Sequence, residues 1–360
     1  MTNLVNNFSR REFLRLSRLG AGSIALGSII SPKENIQYSP NQRLGRVTTD
    51  FGEGINLRAR PSTEAAEVGT IYGDDVVPWL REVVGYTPYR NQRWVETPNG
   101  YVWSPLLQPV KHISNQPLSE FPIYANGPGS WVEVTVPYVD VSIASNLPIG
   151  PRVSFLYEEG LPIRLYYGQI MWADEIREGI NGVEYHVRER HGSYGDHFWG
   201  AAEAFRPIEE AEVAPISPEI ENKSILVDLN RQTLSCFEEG REVFFCRVSS
   251  GRLGAATPVG KNFRIFWKLV SVHMAGGTAG AGYDLTGVAW PTFLVTGGIA
   301  IHGTFWHNNY GEKTSAGCIN VLPEHAKFIS RWSSPAVPYD PGNIDVAGTN
   351  TGTNIRVVEA

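Results

Sequence analysis

The residues best suited to chemistry lie near the end of the chain, in IHGTFWHNNYGEKTSAGCIN, which runs from Ile301 to Asn320. An imidazole, His302, follows an apolar run, and a thiol, Cys318, follows Ser315, Ala316 and Gly317. A cysteine nucleophile needs a base for its proton, access from solvent and donors for the oxyanion it creates. His302 is a suitable base, and its cation would stabilise the thiolate. Gly317 lets the backbone turn sharply, so that main-chain N–H groups can aim at a reacting carbonyl. The separation of sixteen positions does not forbid the pair, because the side chains need only meet in space. Spacing alone is a modest signal, and a small buried cysteine beside a helix fits it equally.

The elements that must position this pair make a mainly β chain. Its 360 residues suggest two or three domains. With 37 Gly and 24 Pro, short strands and turns are favoured over long helices. The net charge of −6 and the lack of a dense Lys/Arg stripe exclude nucleic acid as a partner. Three irregularly spaced cysteines make neither a disulfide framework nor a zinc ribbon. Residues 1–30 carry Arg10-Arg11 ahead of Phe13-Leu14 and a weakly apolar Gly/Ala/Ser/Leu/Ile run, the pattern of a twin-arginine export signal. That pattern predicts a protein of the cell envelope or exterior, membrane-anchored if the signal is retained. Residues 31–45 are polar with prolines and read as a linker.

Residues 46–112 alternate apolar and polar positions in short runs, with a tight turn at Pro98-Asn99-Gly100, which predicts a small barrel. The stretch resembles a bacterial SH3 domain through Asn56-Leu57-Arg58-Ala59-Arg60-Pro61, Val68-Gly69, Trp94-Val95 and Gly100-Tyr101-Val102. Residues 130–210 repeat the style, with FWGAAEAFRPI echoing VWSPLLQPV, and read as a second, divergent SH3-like β region. Residues 211–222 are acidic with prolines and read as a linker. From 223 to 360 the strands lengthen. A hairpin turns at Glu239-Gly240, a glycine loop follows in GGTAGAGY, and PEHAKFISRW reads as one short helix started by Pro323.

The C-terminal stretch resembles the YkuD-type L,D-transpeptidases. The carrying residues are IHGT, then SAGCIN, and upstream Ser249, Gly251, Thr257, Pro258, Gly260 and Phe263. The resemblance implies a β-rich catalytic domain with a short helix beside the cysteine. It implies a cysteine acyltransferase that needs no cofactor and no metal. Cys318 would attack the carbonyl between the third residue of a peptidoglycan stem peptide and its terminal D-alanine. His302 would carry the proton, oriented by the carbonyl of Gly303. A thioester would form, and an amine of a second stem would then attack it. The oxyanion would rest on the N–H groups of Cys318 and Gly317. Asn320 would brace the loop, and Ser315, Tyr283, Trp290 and His307 are the further candidates for contacting the stems. Carbapenem-type β-lactams would be covalent inhibitors, and the SH3-like regions would contact wall glycan or act as spacers.

Where the family pattern has a histidine or arginine two residues before the cysteine, this chain has Ala316. The departure bears on acceptor choice and rate, not on the nucleophile. His307 is a replacement imidazole or, more simply, a solvated loop histidine. An L,D-carboxypeptidase, with water as acceptor, and a catalytically silent wall-binding protein are the alternatives. A zinc site from His302, His307, Cys318 and His325 fits no common ligand spacing. The glycine loop lacks the Lys-Ser/Thr of a phosphate cradle and reads as a lid. Cys236 and Cys246 read as buried, unbridged strand thiols.

Overall fold

The computed structural model describes residues 38–39, 42–144, 148–277 and 282–360. The export-signal reading of residues 1–30 and most of the first linker therefore lie outside the described residues, as does the centre of the glycine loop. The described chain is mainly β, as expected, with two α-helices, Pro151–Glu158 and Pro323–Trp332. None of its helices is long and apolar enough to cross a membrane.

Residues 44–110 form two antiparallel sheets. One has five strands, in the order Glu67–Tyr72, Gly54–Arg58, Gly100–Trp103, Arg93–Thr97 and Arg81–Val84. The other joins Val76–Pro78, Leu44–Val47 and Leu107–Val110, so the end of the expected linker already pairs in a sheet. Alternation sets the core: Val95 and Val102 face each other across the hairpin and pack with Val47, Leu57, Trp79 and Leu107. The hairpin closes where Thr97 pairs with Gly100, whose φ of 140° suits glycine.

Residues 130–207 make a seven-stranded antiparallel sheet with its own core around Val132, Val134, Tyr185, Phe198 and Phe205. The helix Pro151–Glu158 in this region is absent from the strand-only sequence reading. Its start is nonetheless written in Gly150-Pro151: proline suits the first helical position. The Asp196 carboxylate accepts the N–H groups of Ile149 and Gly150 at 2.7 and 2.9 Å, placing negative charge at the helix N-terminus. Only the fold brings Asp196 there.

Two five-stranded sheets and the two-stranded hairpin Ser271–Gly276/Tyr283–Ala289 make the C-terminal region. The first runs Arg241–Arg247, Thr233–Glu238, Lys223–Asp228, Asn354–Val358 and Gly260–Arg264. The second runs Ile319–Val321, Ile299–Gly303, Thr292–Val295, Trp267–Leu269 and Asn343–Asp345. The opening hairpin turns at Glu239 and Gly240, both at positive φ (48° and 78°), as a two-residue primed turn requires. Cys236 and Cys246 are buried free thiols on its strands, and burial pushes Cys246 up to about 12. The helix Pro323–Trp332 buries Ala326, Ile329 and Trp332 against the second sheet. Lys268 lies fully buried at that helix's C-terminal end and donates to the carbonyls of Ser330, Ser333 and Pro335. Ser330 lies in the last turn, where carbonyls have no partner within the helix, so the Lys268 amine caps it. Residues 211–222 are held rather than loose: Arg331 donates to the carbonyls of Ala211 and Ala214, and Lys223 to those of Ile216 and Ser217. The middle region shares the C-terminal core, where Trp131, Ile170 and Trp172 pack with Ile301, Ile319 and Trp332.

Candidate active site

Strand pairing sets the His302 strand beside the segment that follows Cys318. The strand Ile299–Gly303 runs parallel to Ile319–Val321, with Ile301 opposite Ile319 and His302 opposite Asn320. Paired residues point to the same face of a sheet. Cys318 directly precedes this register, and its thiol lies against the start of the facing strand, near the Gly298 carbonyl and the Ala300 N–H. His302 is buried and Cys318 only half-buried.

The protonation states follow from the contacts. His302 Nδ1 lies 3.0 Å from the Gly303 carbonyl. An acceptor there requires the proton on Nδ1, which leaves Nε2 as a bare base. Burial lowers the ring's pKa to about 4. Cys318 is pushed up by burial, opposed by the Ala300 N–H, and its thiol donates to the Gly298 carbonyl at 3.6 Å. Burial disfavours the charged form of each group. The resting pair is therefore thiol and neutral imidazole, and not the thiolate with a stabilising imidazolium that the sequence alone suggests.

The turn before Cys318 is held by buried hydroxyls. Thr257 Oγ1 donates to the Gly317 carbonyl at 2.7 Å and accepts the Gly251 N–H at 2.9 Å. Ser315 Oγ donates to the Cys318 carbonyl at 2.5 Å and accepts the Gly317 N–H at 3.1 Å. Ser315 is buried and works inside the turn, which corrects its candidacy as a substrate contact. The Gly317 N–H is likewise committed to Ser315. Gly317 has φ 121°, and a Cβ there would come within 2.7 Å of Ile299 Cδ1. At Gly251 a Cβ would meet the Ala255 carbonyl oxygen at 2.3 Å. Ser249 exchanges two backbone hydrogen bonds with Asn320, each 2.9 Å, tying the upstream motif to the strand after Cys318.

The remaining candidates divide. Tyr283 is 41% exposed and close enough to Cys318 for the thiol's charge to act on its phenol. Trp290 lies in the main core, 2% exposed, so it packs and does not line a groove. Ala316 is exposed at the rim. His325 packs edge-on against Phe244 on the helix, apart from any shared ligand set with Cys318.

His307 is not a solvated loop histidine. Its Nδ1 accepts the Asn309 N–H at 3.1 Å, and its Nε2 lies 2.9 Å from the Asn320 side-chain amide. With Nδ1 accepting, the proton sits on Nε2, and an amide nitrogen there would oppose donor to donor. The two ends of an amide are assigned from such networks. We therefore assign Oδ1 of Asn320 to His307, since Oδ1 is otherwise buried without a partner. Burial and the His302 ring lower His307 to about 3. Asn320 thus links His307 to the strand beside His302.

A second group escaped sequence reading. His273 is buried, with Nδ1 at 2.8 Å from Glu189 and Nε2 at 2.6 Å from Asp284. The carboxylates outweigh burial and raise His273 to about 9. This imidazolium pins the hairpin Ser271–Gly276/Tyr283–Ala289, which carries Tyr283, to the middle region. No motif announces it, because Glu189 lies 84 residues before His273.

Comparison with known proteins bears on the C-terminal region. Residues 222–357 match the family model of the YkuD L,D-transpeptidase catalytic domain. No curated protein matches. A mutant of Enterococcus faecium L,D-transpeptidase is 25% identical, covering 39% of this chain and 51% of its own, with a TM-score of 0.30. The Enterococcus faecium catalytic domain acylated by ertapenem is 24% identical, covering 38% of this chain and 98% of its own, with a TM-score of 0.29. An L,D-transpeptidase from Mycobacterium smegmatis is 18% identical, covering 69% of this chain and 98% of its own, with a TM-score of 0.31. This chain spans about half the length of the first solved structures that it matches (51%). The domain it shares with a known family is thus the L,D-transpeptidase catalytic domain, over residues 222–357.

Proposed function

We propose that the chain is a cell-wall L,D-transpeptidase acting through a Cys318 thioester. One observation carries the reading: a half-buried thiol directly precedes the strand that pairs with the His302 strand, and that buried imidazole's tautomer is set by the next residue's carbonyl. Cys318 Sγ attacks the stem carbonyl before the terminal D-alanine, and its proton passes to Nε2 of His302. The tetrahedral oxyanion takes the Cys318 N–H as donor. On collapse the C–N bond breaks, Nε2 returns the proton to the departing amine, and D-alanine leaves. The amine of a second stem then attacks the thioester, loses a proton to His302 and frees the thiol. A neutral imidazole suits both directions of this transfer. Tyr283 lines the approach.

The two upstream β regions are proposed as SH3-like. The chain is proposed to be exported through the twin-arginine pattern at Arg10-Arg11 and to work in the cell envelope. Incubation with a carbapenem followed by intact-mass measurement tests the nucleophile: a stoichiometric adduct is expected, lost in Cys318→Ala. An unmodified wild type refutes the reading and leaves a silent wall binder. With tetrapeptide stems, cross-linked dimer supports the transpeptidase, whereas tripeptide alone shows water as the acceptor and a carboxypeptidase.

A further inference from the structure

Loop 304–310 runs directly on from the His302 strand and contains neither helix nor strand. The first β region binds its backbone. Arg46 donates to the Phe305 carbonyl at 2.7 Å. Arg93 donates to the carbonyls of Asn308 at 2.7 Å and Tyr310 at 3.2 Å, so one guanidinium brackets Asn309. Asn91 donates to the Asn309 side chain at 2.8 Å, and the Pro105 carbonyl accepts the Asn308 N–H at 3.2 Å. Asn308 is buried, and its amide donates to Ser104 Oγ at 3.0 Å.

Neighbouring regions of one chain move relative to each other by default unless their interface is extensive. A wall anchor or spacer needs no such grip on an active-site loop. The residue that Arg93 and Asn91 bracket, Asn309, is the one whose N–H fixes the His307 tautomer. That tautomer decides which end of the Asn320 amide faces the ring, and Asn320 lies opposite His302 in the sheet.

We propose that the first β region is a positioning domain for the reaction: Arg93, with Asn91, clamps loop 304–310 so that His307 holds the Asn320 amide against the His302 strand. This rests on Cys318 and His302 as the reacting pair and adds a role that neither barrel had in the sequence. Charge-assisted donors to two carbonyls fix a loop more firmly than neutral ones, and small misplacements beside reacting groups slow catalysis steeply.

The test uses the full chain with labelled histidine, as wild type, Arg93→Met, Arg93→Lys and Arg58→Met. Arg58 lies in the same region, and its side chain donates to the Ala65 carbonyl, away from the loop. In the wild type, the His307 ring should stay neutral by NMR titration down to about pH 5. In Arg93→Met it should titrate near the ordinary value of about 6.5. Saturating carbapenem should acylate Arg93→Met roughly ten- to a hundredfold more slowly. Arg93→Lys should recover much of both, and Arg58→Met should match the wild type. An unmoved His307 titration in Arg93→Met overturns the proposal, as does a moved titration with wild-type acylation. If Arg93→Met does not fold, Asn91→Ala takes its place under the same criteria. A wild type that no carbapenem acylates refutes the function proposed above, and not the clamp. Alkylation of Cys318 by iodoacetamide then replaces the acylation measurement, and equal rates in wild type and Arg93→Met overturn the clamp.

Discussion

Thr257→Val tests how the nucleophile turn is held. Valine keeps the shape of threonine but cannot bond. The hydroxyl now links the Gly251 N–H at 2.9 Å to the Gly317 carbonyl at 2.7 Å, and Thr257 is 3% exposed, so water cannot take over. Each buried group left unpaired costs about 1–3 kcal/mol. Two of them, less what local relaxation recovers, give a loss of about 2–5 kcal/mol. For a region of this size, 1 kcal/mol corresponds to roughly 2–4 °C, so the transition of the C-terminal region should fall by about 5–15 °C. Thr257→Ser keeps the bonding group and should lose less than half as much. The assay pairs thermal unfolding with the carbapenem acylation rate. Because Gly317 is adjacent to Cys318, acylation by Thr257→Val should slow about tenfold or more even well below its melting temperature. Wild-type stability and wild-type acylation in Thr257→Val would refute the argument that this hydroxyl builds the turn.

Four further outcomes follow from the same structure. His302→Gln should lower acylation by about 10²–10⁴-fold without abolishing Cys318 alkylation, measured by adduct formation against time. The acid limb of the wild-type acylation rate should lie near pH 4, where His302 protonates; a limb near 6.5 would instead indicate an ordinary, solvated imidazole. Gly317→Ala, which meets both positive φ and Ile299, should destabilise by about 1–3 kcal/mol in denaturant unfolding and slow acylation. His273, raised to about 9, binds its proton more tightly folded than unfolded. Its contribution is therefore complete below about pH 6.5 and lost as pH rises through 9. The melting temperature should fall across that window, and His273→Gln should flatten the fall.

The C-terminal sequence by itself marked the candidate nucleophile, the candidate base and the helix Pro323–Trp332. Cys318, Gly317, His302 and Pro323 are local signals: a thiol after a sharp turn, an imidazole on a strand, a proline at a helix start. The mainly β character followed from alternation and turns, which are likewise local. The sequence could not decide which way Trp290 faces, that Ser315 closes its own turn, or that a helix lies at Pro151–Glu158. Nor could it decide protonation. Whether His302 and Cys318 rest neutral depends on how much water the surrounding strands exclude, and burial is a property of the assembled fold. The two ion-linked devices, Glu189–His273–Asp284 and the Arg93 grip on loop 304–310, join segments separated by about a hundred or two hundred residues. Such pairs carry no period and no spacing, because side chains distant along the chain find each other only once the sheets between them have formed.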